Sequence, residues 1–151
     1  AVVEFARYVC GLRGAHTTEI DSGTKVPVID TMPEQKVNIR EKKLGGSMRL
    51  GAYSCELIPG TKSFHAYGKK SVSERHRHRY EVNNAYREML GKKGMIFSGL
   101  NRERDLVEII ELPDHPIFMG TQFHPELKSR PLHPHPLFKA FIDASIKSRN
   151  Q

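Results

Sequence analysis

A chain of 151 residues carries 24 Lys and Arg against 17 Asp and Glu, a formal charge of +7, with 38% hydrophobic and 27% charged residues. That makeup belongs to a compact globular domain, long enough to bury a core without metal or disulfide staples, and excludes a disordered tail. No apolar run approaches the roughly 18–20 residues that span a bilayer, so the sequence predicts no membrane association.

The first residues do not read as a signal peptide. Cys10 and Cys55 lie in apolar-patterned segments and form no dense framework, which predicts a reducing, cytoplasmic setting and two buried, inert thiols. The pI near 9.5 is compatible with nucleic acid or anionic metabolites, yet the cations are scattered. They fall at Lys42-Lys43, Lys69-Lys70, Arg75/Arg77/Arg79, Lys92-Lys93 and Arg102/Arg104. No RNA-binding aromatic signature, Cys/His finger or heptad-linked basic region accompanies them, so a solvated surface is the first reading. A basic nucleic-acid-binding module is the non-enzyme alternative, and steeply salt-dependent binding would mark it.

From Ala1 to Leu12 the apolar positions Val2, Val3, Ala6, Val9 and Cys10 predict a helix stopped by Gly11. No capping residue precedes it, and the expectation is a chain cut from a longer one. Residues 13–43 read as polar loop with one strand entry, Val26-Pro27-Val28-Ile29. A strand follows over Met48–Ile58, closed by Pro59-Gly60. Arg75 to Val82 alternates, with His76, His78, Tyr80 and Val82 on one face and Arg75, Arg77, Arg79 and Glu81 on the other. Asn83-Asn84 can cap a short helix running to Leu90. Met95–Phe97, Leu106–Leu112 and Ile117–Phe123 read as three more strands. Pro136–Ser148 closes the chain as an amphipathic helix with an apolar stripe of Leu137, Phe138, Phe141, Ile142 and Ile146. The sum is a mixed α/β chain.

Gln122-Phe123-His124-Pro125-Glu126 follows an apolar strand, at the kind of strand end where catalytic groups collect in open α/β sheets. Residues two apart in an extended chain face the same way, and Pro125 stiffens the backbone between them. His124 and Glu126 can therefore meet. A carboxylate accepting from one imidazole nitrogen fixes the tautomer and leaves the other free to take a proton from a nucleophile. Taken alone, the triplet reads first as a surface histidine beside an unrelated acid and is too short to decide.

The pentapeptide resembles the His/Glu end of the class I glutamine amidotransferases, whose triad is Cys-His-Glu. Leu44-Gly45-Gly46-Ser47-Met48-Arg49-Leu50-Gly51, Glu74-Arg75-His76-Arg77-His78-Arg79-Tyr80-Glu81-Val82-Asn83, Ser129-Arg130-Pro131 and Pro134-His135-Pro136-Leu137-Phe138 resemble the CTP synthase family among them. The likeness extends from Ala1 to about Phe141. It implies an open mixed sheet flanked by helices, a flavodoxin-like three-layer fold lacking its N-terminal part. It also implies hydrolysis of L-glutamine, with ammonia passed to a separate synthase (amidoligase) domain, absent from this chain, where ATP and magnesium drive the amination of UTP to CTP. Such enzymes are generally homotetramers. Another class I amidotransferase or a γ-glutamyl hydrolase is the nearby alternative, against which the Arg75–Asn83 run argues.

By the same resemblance His124 is the general base and Glu126 its orienting carboxylate. Arg79 holds the α-carboxylate of glutamine, a pairing that suits a guanidinium fork, and Glu19 receives the α-ammonium group. The polar, basic insertion from Asp30 to Arg49 suits a mobile lid. In the family this region relates to activation by GTP, with Arg40 as the contact. The chain departs from the family at the nucleophile: it starts just after the glycine-rich elbow that carries the cysteine, so the expectation is a fragment inactive by itself. The His-x-His pairs tempt a zinc reading, but no cysteine or carboxylate completes a ligand set and the interleaved arginines oppose a cation.

Overall fold

The computed structural model describes residues 1–31 and 48–149. In chain order the elements are α1 (Val2–Tyr8), β1 (Ala15–Thr17), β2 (Val26–Thr31), β3 (Arg49–Leu57), α2 (Lys62–Tyr67), β4 (Ser71–His78), β5 (Tyr80–Val82), α3 (Arg87–Lys92), β6 (Ile96–Asn101), β7 (Leu106–Leu112), β8 (Phe118–Thr121) and α4 (Pro136–Arg149). They divide between two units, residues 1–50 with 77–94, and residues 51–76 with 95–151.

In the first unit α1 buries Val2, Phe5 and Ala6, one face of a helix at spacings of three and four. It ends sooner than the periodicity predicts. Tyr8 and Val9 are exposed, and Cys10 lies beyond the helix, where its amide bonds back to the Phe5 carbonyl while Gly11 turns the chain at a φ of 74°. The Arg7 Nε donates to the Ala15 carbonyl at 2.7 Å and pins α1 to β1. Strand β2 is central in a three-stranded sheet, parallel to β1 and antiparallel to β5. Asn83 ends β5 in three ways. Its amide bonds to the Val28 carbonyl, its Nδ2 to the Pro27 carbonyl at 2.8 Å, and its Oδ1 accepts from Ala85 at 3.1 Å to cap the next turn, as expected.

The second unit is a five-stranded sheet in the order β4-β3-β6-β7-β8, in which β3, β6, β7 and β8 pair antiparallel in turn. Its core gathers Cys55, Leu57, Ile109, Phe123 and Leu137, with Phe64, Tyr67, Val72 and Met119 packed around them. Helix α2, for which no sequence signal was read, is capped by Thr61 and ends on Gly68 at a φ of 63°. The buried Glu111 carboxylate accepts from the amides of Lys62 and Ser63 at 2.9 and 2.7 Å, placing a negative charge against the helix start. Strand β6 crosses the core at Gly99, where an added Cβ would stand 2.6 Å from Ile109 Cγ1 and 2.8 Å from Cys55 Sγ. Gly99→Ala is therefore expected to cost about 1–3 kcal/mol, read as a lowered denaturant midpoint with an unchanged slope.

Two expectations need correction. The run Arg75–Val82 is not one strand: it bends at Arg79, and β5 resumes at Tyr80 with Glu81 buried instead of facing solvent with the arginines. Val82 stays buried as expected, and past the bend Glu81 is buried beside it. The last helix forms where predicted, but of its stripe only Leu137 is buried among the described residues, while Phe138, Phe141, Ile142 and Ile146 are 42–56% exposed.

Candidate active site

After β8 the chain is tied down residue by residue. The Gln122 amide donates to the Glu108 carbonyl and Phe123 fills the core. The Thr121 hydroxyl donates to the Phe123 carbonyl at 3.0 Å. The His124 amide then donates to the Arg75 carbonyl of β4 at 2.9 Å. Strands β4 and β8 are the two ends of the sheet order, so the five strands curl until the segment beyond the last runs beside the first. His124 sits on that seam.

Pro125 opens a 3-10 turn, Pro125–Leu127, and His124 in extended conformation precedes it. The result brings His124 Nδ1 to 2.6 Å from Glu126 Oε1. Both side chains are partly open to solvent, 41% and 57% exposed. The Glu126 backbone amide and the imidazole hold its carboxyl below the ordinary carboxylate range. With Nδ1–H donating to the carboxylate, Nε2 is left as the acceptor, and it has no hydrogen-bond partner among the described residues. An imidazole so held can take a proton from a thiol or water and return it to a leaving amine.

Glu19 and Arg79 belong to the first unit, His124 and Glu126 to the second. Glu19 is exposed in the turn after β1, its amide donating to the Thr17 hydroxyl at 3.2 Å. Arg79 is exposed at the bend between β4 and β5. Beside that bend the buried Glu81 carboxylate lies 3.6 Å from the Arg49 guanidinium and 3.3 Å from His78. Arg40 and most of the lid fall outside the described residues. Cys55 is sealed in the core, whereas Cys10 is only half-buried, which corrects the expectation for it, and burial pushes its thiol up in spite of Lys93. Among the described residues no group of three or more His, Cys, Asp and Glu could hold a metal ion.

Sequence reasoning missed a polar cluster in which the buried Glu74 and His135 meet the half-buried Tyr67 and the exposed Lys128. Tyr67 Oη donates to Glu74 Oε1 at 3.0 Å, His135 Nε2 lies 3.2 Å from the same oxygen, and Lys128 Nζ lies 3.6 Å from it. Extending the Arg75–Val82 alternation back by one residue would have put Glu74 on the inward face with His76.

The class I glutamine amidotransferase family profile matches residues 3–144. The CTP synthase of Trichlorobacter lovleyi is 60% identical over 152 aligned residues, covering 100% of this chain and 28% of its own length. That of Bacillus subtilis is 54% identical over 151 residues, again 28% of its length. The chain thus spans little more than a quarter of these curated relatives. The solved CTPS glutaminase domain of Trypanosoma brucei, with bound acivicin, superposes with a TM-score of 0.86 at 34% identity, covering 97% of this chain and 56% of that one. No helix among the described residues is long and apolar enough to cross a membrane. Sequence profile, α/β architecture and the His124–Glu126 geometry agree: the chain belongs to the class I glutamine amidotransferase family.

Proposed function

We propose that this chain is the His/Glu-bearing part of a glutaminase domain that supplies ammonia for the ATP-dependent amination of UTP to CTP in the cytoplasm. The observation that carries the reading is the 2.6 Å contact between His124 Nδ1 and Glu126 Oε1, and the identity of 54–60% to CTP synthases supports this branch over other amidotransferases and γ-glutamyl hydrolases. Arg79 grips the α-carboxylate of L-glutamine and Glu19 its α-ammonium group. A cysteine thiol gives its proton to His124 and attacks the side-chain carboxamide, and His124 returns the proton to the departing ammonia. Water, deprotonated by the same imidazole, then cleaves the thioester to glutamate.

Neither Cys55, sealed in the core, nor Cys10, with its raised pKa, suits that thiol. The nucleophile is supplied by polypeptide outside these 151 residues, and the chain by itself is inactive. ATP and magnesium act in a synthase domain of the whole homotetrameric enzyme, and GTP activates through Arg40. No nucleic acid takes part.

The test is the full-length polypeptide carrying this chain, assayed for CTP formation from UTP and ATP with glutamine or with ammonia. Both nitrogen sources are expected to yield CTP. Arg79→Ala is expected to raise the KM for glutamine roughly 10- to 100-fold, the weight of a lost charged bidentate contact, with ammonia-supported synthesis unchanged. Failure to form CTP from either source would defeat the reading.

A further inference from the structure

The turn that carries His124 and Glu126 is fastened to three successive residues of β4. At its start the His124 amide donates to the Arg75 carbonyl. At its end Lys128 Nζ donates to the Ser73 carbonyl at 2.5 Å. Between these, Glu74 reaches inward and gathers two donors from separate parts of the chain, Tyr67 on α2 and His135 ahead of α4, with the Lys128 ammonium 3.6 Å away. The His135 amide in turn donates to the Ser129 hydroxyl at 3.1 Å, so the stretch beyond the turn is held to the same anchor. His135 Nδ1 accepts from the Leu137 amide at 3.3 Å, which puts its proton on Nε2, the nitrogen beside Glu74.

Glu74 is 1% exposed. A buried carboxylate is a poor means of gaining stability, since apolar side chains of similar volume commonly do as well or better. What a carboxylate does that they cannot is accept from several donors at once and fix their relative positions. Burial pushes the Glu74 carboxyl up, but hydrogen bonds from His135 and Tyr67, with the nearby Lys128 ammonium, bring it below the ordinary range. It is therefore ionised under working conditions.

We infer that Glu74, with His135 and Tyr67, is a positioning group for glutamine hydrolysis, setting where the His124–Glu126 turn lies against β4 without touching the substrate. The inference rests on the reading of His124 and Glu126 as the hydrolytic pair. Small displacements of a reacting group are costly to rate, so its loss acts on turnover and hardly on substrate affinity.

The experiment compares Glu74→Ala and Glu74→Gln in the full-length enzyme. Glu74→Ala is expected to lower glutamine-dependent kcat roughly 10- to 100-fold, with the glutamine KM within about twofold and ammonia-supported synthesis unchanged. Glu74→Gln keeps a carbonyl for Tyr67 and His135 and is expected to restore kcat to within about fivefold of the wild type. If Glu74→Ala misfolds, so that both nitrogen sources fail, Tyr67→Phe removes one donor at nearly constant volume and is expected to show the same kcat-selective loss, about threefold. Variants that match a working wild type, losses confined to KM, or a Glu74→Gln as impaired as Glu74→Ala would each overturn the inference. A wild type that released no glutamate would instead overturn the functional reading beneath it.

Discussion

His124→Ala in the full-length enzyme is expected to reduce glutamine-dependent turnover roughly 10³- to 10⁴-fold, the scale of a lost general base that also protonates the leaving group. Synthesis from free ammonia should continue at the wild-type rate, because that route asks nothing of the imidazole. The split is the informative part. His124 is 41% exposed on a surface turn, and its side chain is not part of the core that Phe123 fills, so removing it should leave stability nearly unchanged. Parallel loss of both activities would count against its assignment as the base. Steady-state rates with the two nitrogen sources, set beside a denaturation midpoint, decide the matter.

Glu126→Gln is expected to lower the same kcat roughly 10²- to 10³-fold. That falls short of the drop of about 10⁴-fold seen where a deeply buried orienting carboxylate is lost, because Glu126 is half-exposed and solvent can partly replace it. The amide can offer an N–H to Nδ1, which moves the imidazole proton to Nε2 and removes the acceptor the chemistry needs. The pH dependence has a definite sign. The Glu126 carboxyl is held below the ordinary carboxylate range, so the contribution of the pair is complete above that range and fades as pH falls through the lowered value. Wild-type kcat should therefore keep its Glu126-dependent limb well on the acid side, and Glu126→Gln should lack that limb. A variant with wild-type kcat throughout would remove the orienting role.

Long elements with clear periodicity were legible from the sequence. The strands β2, β3 and β7 and the helices α1 and α4 stand at or near their expected places, and the six-residue α3 was announced by its Asn83 cap signal. What escaped was short or depended on distant partners. Strand β1 has three residues and α2 six, too few for a period to show. The bend at Arg79 has no glycine or proline to announce it, so Glu81 was assigned to the wrong face. The His124–Glu126 pair was readable because it is local, two residues apart with a proline between, although the two meet across a 3-10 turn, Pro125–Leu127, and not along the extended chain that was expected. Glu74 and His135 are separated by 61 positions, and no local pattern links them. Arg79 and Glu19 were named through family likeness, and nothing in their own neighbourhoods would have singled them out.

Pro125 has a consequence for how the pair endures in water. The pyrrolidine ring fixes its own backbone torsion and confines that of the residue before it, so much of the freedom that would let an imidazole and a carboxylate drift apart is already absent from the unfolded chain. Their registry is thus built into covalent structure. Two side chains partly open to solvent are held 2.6 Å apart by a turn whose shape is set within its own few residues.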